Sequence, residues 1–162
     1  MQWPVLPDYG IIIRWPENGQ EFIHPSDLQV ALKCIPSERL LKRESFDGEY
    51  YRYRYGKATF RLRPIMWRTI DHEGIDVGDE VEIVGLGMER EKFVAHVWGM
   101  HFIRRRSQIV YRLRRADRVM PKLYTVDQMR LIKEKQSVRD AGYTHQAPTW
   151  KGDQSGDRLP AG

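Results

Sequence analysis

Arginine and tyrosine alternate through YYRYRYGKATFRLRP, residues 50–64, a stretch with five basic residues, five aromatics and no acid. Side chains two apart in a strand share a face, so Arg52, Arg54, Arg61 and Arg63 line one side of a hairpin turned at Gly56-Lys57. Tyr50 and Thr59 sit beside them, while Tyr51, Tyr53, Tyr55, Phe60 and Leu62 line the other. A row of guanidiniums can hold phosphates, and an exposed aromatic beside it can stack on a base at about 1–3 kcal/mol per base. Arg104, Arg105 and Arg106 form a second basic cluster, next to a strand whose outer face carries Arg112 and Arg114. These nine arginines are the candidate nucleic-acid interface.

Two other readings stand beside that one. Residues 71–91 carry eight acids (Asp71, Glu73, Asp76, Asp79, Glu80, Glu82, Glu89 and Glu91) against the single base Arg90. An acidic strand beside a basic one makes cross-strand pairs worth about 0.2–1 kcal/mol each, which leaves the hairpin merely well solvated. In the third reading Trp98, Met100 and Phe102 of VWGMHF make an apolar patch for a protein partner, since rim aromatics serve as anchors and can cage a cation.

Catalytic chemistry finds no such pattern. No nucleophile motif, P-loop or dinucleotide fingerprint occurs, and Gly85-Leu86-Gly87 reads as a tight hairpin. His24, His72, His96, His101 and His145 are scattered, and His96 and His101 with Cys34 lack ligand spacing, so no metal or cofactor is expected. Cys34 reads as a small hydrophobe on a helix.

Composition sets the frame. The chain has 162 residues, 41% hydrophobic and 30% charged, with a formal charge of +5 and a pI near 9.4. That balance belongs to a globular protein and permits an acidic partner without requiring one. MQWPVLPDYGIIIRWP lacks the basic and apolar regions of a signal peptide, and no run nears about 18 apolar residues. With a lone cysteine, the expected location is cytoplasmic, with no membrane contact.

The elements that must position these residues follow from periodicity. A strand is expected at Ile11–Trp15, then a turn at Pro16-Glu17-Asn18-Gly19. A helix of about ten residues follows, with Leu28, Ala31, Leu32 and Ile35 on one face, Ser26 and Gln29 as a capping box, and a stop at Pro36. Strands are then expected at Arg39–Ser45, Tyr50–Tyr55, Ala58–Arg63 and Ile65–Ile70. In the second half, Val81 and Ile83 oppose Glu80 and Glu82, Lys92–Trp98 is apolar on both faces, and Gln108–Arg115 alternates. Thr125 and Gln128 cap one helical turn before a last strand.

Through Val77-Gly78-Asp79-Glu80-Val81-Glu82-Ile83 and the closing Tyr124–Leu131, residues 74–133 resemble a small SH3-like barrel of the Tudor or KOW kind. Residues Gly99–Ser107 stand as an insertion longer than such a barrel needs. Through FDGEYYRYRYGKATFRLRP and VGDEVEIVGLGM…VWGM, the whole chain resembles an uncharacterised bacterial family, which implies a fold and no activity. The expected architecture is α+β and mainly β. An antiparallel meander with one short helix (residues 1–70) precedes a C-terminal SH3-like barrel (71–133) and a disordered tail (134–162). The expected function is a non-catalytic binding module for nucleic acid or another acidic partner, or else a protein–protein adaptor around Trp98.

Overall fold

The computed structural model describes residues 4–84 and 92–132. The tail from 134 and the Gly85-Leu86-Gly87 turn lie outside the described residues. Two five-stranded antiparallel sheets dominate, with one short helix. One compact unit ends at Arg130 and a second begins at Leu131.

The first sheet contains β1 (Asp8–Ile12), β2 (Leu41–Phe46), β3 (Tyr51–Tyr55), β4 (Ala58–Leu62) and β5 (Trp67–Thr69), in the order β4-β3-β2-β1-β5. Its hairpin has the register that alternation demands: Tyr51 faces Leu62, Tyr53 faces Phe60 and Arg52 faces Arg61. Gly56, at φ +62°, turns the chain where an L side chain would be strained. Helix α1 (Leu28–Cys34) packs on β4 and closes a core of Ile12, Ile23, Ala31, Cys34, Ile35, Leu41, Tyr51, Tyr53, Phe60 and Leu62. Each fully buried large side chain in this set contributes about 1.5–3 kcal/mol.

The helix is shorter than periodicity implied, because Pro25–Asp27 forms a separate 3-10 turn. The Ser26–Gln29 capping box does not form: the backbone N–H of Ser26 donates to Nδ1 of His24, and Asp27 occupies the N-cap. The first strand also begins earlier than expected, at Asp8.

The second sheet contains β6 (Glu80–Ile83), β7 (Phe93–Ile103), β8 (Gln108–Arg115), β9 (Arg118–Tyr124) and β10 (Met129–Leu131), in the order β10-β6-β7-β8-β9. Val81, Ile83, Ala95, Val97, Tyr111, Leu113, Tyr124 and Met129 are buried. One 3-10 turn, Val126–Gln128, leads into β10, and Thr125 and Gln128 cap it reciprocally. A closed barrel is not formed among the described residues: β9 and β10 are the two edges of an open sheet. Pro121, which cannot donate to a ladder, sits on the β9 edge where no donor is needed.

Gly99–Ser107 is ordered as part of the second sheet. It is the second half of β7 plus the turn into β8, and it joins the two sheets. The N–H of Leu40 donates to Met100 O at 3.0 Å, and that of Phe102 to Glu38 O at 2.9 Å. The Tyr55 hydroxyl accepts from the Met100 N–H at 2.8 Å. At Gly99 a Cβ would lie 2.9 Å from that hydroxyl, so glycine permits the approach.

Candidate nucleic-acid and protein-docking faces

Arg52 and Arg54 project from β3, Arg61 from β4 and Arg63 follows β4, and most of them meet carboxylates. Arg54 Nε lies 2.7 Å from Glu44 Oε2, and Arg63 Nη2 lies 3.1 Å from Glu49 Oε2. Arg61 grips Asp27 with Nε at 2.7 Å and Nη2 at 3.1 Å, while its backbone N–H also donates to Asp27 at 2.9 Å. This pairing pulls the Asp27 carboxyl below its usual range. Arg52 is exposed, and no carboxylate pairs with it among the described residues. The acids that neutralise the hairpin thus come from the turn before α1, from β2 and from the β2–β3 turn.

Acids in the described part of the acidic segment, residues 71–84, serve other partners. Glu82 pairs with Arg130, His72 with Asp76 at 3.3 Å, and Glu73 accepts from the Tyr111 hydroxyl at 2.7 Å. His72 stacks on Tyr9 with ring centroids 3.7 Å apart, and its hydrogen bond to Asp76 raises its pKa.

Behind the hairpin, the other face of the first sheet buries an ion pair that periodicity did not reveal. Asp8 accepts two bonds from Arg43 (2.9 and 3.0 Å), one from Trp67 Nε1 (3.1 Å) and one from Thr69 Oγ1 (2.8 Å). The Arg43 guanidinium lies 4.4 Å from the Tyr51 ring centroid and 4.9 Å from that of Trp67. Delocalised and weakly hydrated, guanidinium is the cation suited to that slot.

The Arg104–Arg106 cluster forms the 3-10 turn between β7 and β8. Arg104 is spent on the fold, donating to Ile13 O at 2.8 Å and Ile12 O at 3.1 Å. Arg105 and Arg106 are exposed. No hydrogen bond or ion pair among the described residues links this cluster to the hairpin arginines.

Trp98, Met100 and Phe102 do not form one patch. Met100 and Phe102 are buried at the junction of the sheets, because β7 continues through them, whereas Trp98 is 52% exposed. It stands at a β-bulge, where the β7–β8 register shifts between Val97 and Gly99. The guanidinium of Arg114 lies 5.2 Å from its ring centroid. Arg112 shares this face and directs Nη1 to Pro121 O at 2.7 Å and Met120 O at 3.0 Å.

Around Trp98 the outer face exposes Val94, Val119 and Leu123, each above 40%. Val119 is opposite Arg114, and Leu123 is opposite Arg112. Sequence reasoning missed these three, although Lys92–Trp98 reads as apolar on both faces, and Val94 is the outward part of that signal. Thus Trp98 and the arginines of β8, assigned to rival interfaces by sequence, share one surface.

Among the described residues no three His, Cys, Asp or Glu side chains are grouped closely enough to hold a metal ion. Burial pushes the Cys34 thiol up in pKa, the reverse of what a nucleophile needs. Burial also lowers the pKa of His101. A shallow groove of about 740 Å³ is lined by Arg14, Pro16, Phe22, Pro64, Ile65 and Met66 among others. Among the described residues no helix is long and apolar enough to cross a membrane.

No curated protein and no solved structure matches the chain. Residues 1–130, which span both sheets up to the start of β10, match the family of unknown function DUF6960, and the chain belongs to that family.

Proposed function

We propose that this chain is a non-catalytic protein-docking module whose working surface is the outer face of the second sheet, an open SH3-like sheet, centred on Trp98. The observation that carries the reading is a half-exposed tryptophan with Arg114 over its ring and Val94, Val119 and Leu123 exposed around it. Tryptophan and arginine are the residues over-represented at interface hot spots. Aliphatic neighbours suit a partner's apolar side chains better than stacked bases, and Arg112 and Arg114 favour carboxylates beside them. Nucleic acid is less well served, because Arg54, Arg61 and Arg63 are paired with carboxylates and the exposed Arg52 stands apart from Trp98 on the other sheet.

Fluorescence anisotropy tests this. The probes are a labelled acidic peptide carrying leucine and phenylalanine, and labelled single-stranded and duplex oligonucleotides, each at two salt concentrations. Peptide binding that Trp98→Ala weakens about 30-fold, the scale of a 2 kcal/mol hot spot, supports the reading. Salt-sensitive oligonucleotide binding that survives Trp98→Ala and collapses in Arg52→Glu would replace it with the phosphate-gripping hairpin.

A further inference from the structure

The partner chemistry called for by the Trp98 face is apolar groups with carboxylates to one side, and the face itself contains it. Strand β7 is the central strand, flanked by β6 and β8. Glu80 on β6 is directly opposite His96 on β7, and His96 is directly opposite Arg114 on β8. One registered row across the face therefore reads carboxylate, imidazole, guanidinium. Neighbouring strands lie about 4.8 Å apart, so the two charges stand about 10 Å apart on either side of β7. Glu82 extends the acidic side beside Val94, and Arg112 extends the basic side beyond Trp98.

From this juxtaposition, which rests on the reading of the face as a protein-docking surface, we propose that the face pairs with the same face of a second copy of this chain. The two-fold axis runs along β7. Rotation by 180° about an in-plane axis along that strand turns one sheet over and exchanges its left and right sides. The row Glu80–His96–Arg114 then meets itself reversed, setting each Glu80 against the other copy's Arg114. Trp98 and Val94 lie near the axis and meet their counterparts in an apolar strip. An isologous contact needs this self-complementarity: acid on one side of the axis, base on the other, and apolar groups between. A rotation axis across the strands would set β6 against β6 and would not bring Glu80 to Arg114.

Glu80 Oε2 lies 4.0 Å from His96 Nε2, and Glu82 pairs with Arg130 on β10. The Arg114 Nε donates to Ala116 O at 3.1 Å, which holds the side chain over Trp98.

Charge reversal with mixing tests this in the full-length chain. Sedimentation velocity over about a hundredfold concentration range should show wild type as a monomer–dimer equilibrium, and Glu80→Arg and Arg114→Glu each as a monomer. Glu80→Arg turns the row into two bases, and Arg114→Glu turns it into two acids. Mixed one to one, these two variants should form a heterodimer, as should the double variant with itself. Circular dichroism and melting of each single variant establish that it is folded; a variant that is not folded is replaced by Glu80→Gln or Arg114→Gln, expected to weaken the dimer at least tenfold.

Wild type that stays monomeric throughout overturns the second copy as partner. If the acidic peptide still binds in a Trp98-dependent way, the docking reading survives that result. A dimer indifferent to Glu80, Trp98 and Arg114 overturns the geometry, as does a mixture of the two reversed variants that stays monomeric.

Discussion

Removal of the Asp8 carboxylate isolates the buried charge that organises the first sheet. In Asp8→Ala, the Arg43 guanidinium remains between Tyr51 and Trp67 with its side chain 8% exposed and its counter-charge gone. Breaking a buried pair from one side costs about 3–5 kcal/mol, because an uncompensated charge stays in a poorly hydrated site. Trp67 Nε1 and Thr69 Oγ1 lose their acceptor as well. For a unit of this size, about 3–4 °C of melting temperature goes with each kcal/mol, so a fall of about 10–20 °C is expected. Asp8→Leu combined with Arg43→Met removes both charges and should recover most of the loss, since well-packed apolar replacements of buried pairs are often neutral. Urea unfolding of the wild type, both single variants and the double variant closes the cycle. A loss below about 1 kcal/mol in Asp8→Ala, or a double variant no better than the worse single, would refute the reasoning.

Gly10→Ala should destabilise by about 1–3 kcal/mol, as overpacking does; the new Cβ would press on the Arg68 carbonyl oxygen and come within 2.7 Å of the Trp67 ring. Thermal melting checks it, and an unchanged midpoint would contradict the tight β1–β5 approach. Asp27 has a folded pKa held low, first by its hydrogen bonds from Arg61, so its stabilisation is full above the unfolded carboxyl pKa of about 3.9 and is lost as pH falls through the folded value. Asp27→Asn should therefore be less stable at neutral pH and show a flatter acid limb below about pH 4, read by urea midpoints across pH. Cys34, buried and with its thiol pKa raised, should resist alkylation in the native state at pH 8 and react fully in urea; rapid native labelling would contradict its place in the core.

The hairpin was legible because period-2 alternation and a Gly56 turn fix register together, so Tyr51, Tyr53, Phe60 and Leu62 went to the core and Arg52 to solvent. Thr125 and Gln128 were legible as a cap for a similar local reason. What alternation cannot show is who sits across a sheet or behind it. The carboxylates facing the hairpin, Asp27, Glu44 and Glu49, are set by α1 docking on β4 and by the β2–β3 pairing, whereas Glu82 of the acidic segment pairs within the other sheet. Asp8 and Arg43 are 35 residues apart and are joined only by the β1–β2 register. VWGMHF shows the same limit: its alternation is visible, but the bulge at Trp98 and the junction that buries Met100 and Phe102 are tertiary. Sheet closure likewise depends on whether β9 reaches β10, which degenerate strand phrases do not encode.

The central claim is that the working surface is the Trp98 face and not the basic hairpin. Its most direct test is one titration of the labelled acidic peptide against wild type, Trp98→Ala and Arg52→Glu under identical salt. Both positions are exposed, so both variants should fold as the wild type does. Trp98→Ala should lose about 30-fold in affinity while Arg52→Glu changes it less than about twofold. Full affinity in Trp98→Ala with a collapse in Arg52→Glu would contradict it and return the function to the hairpin.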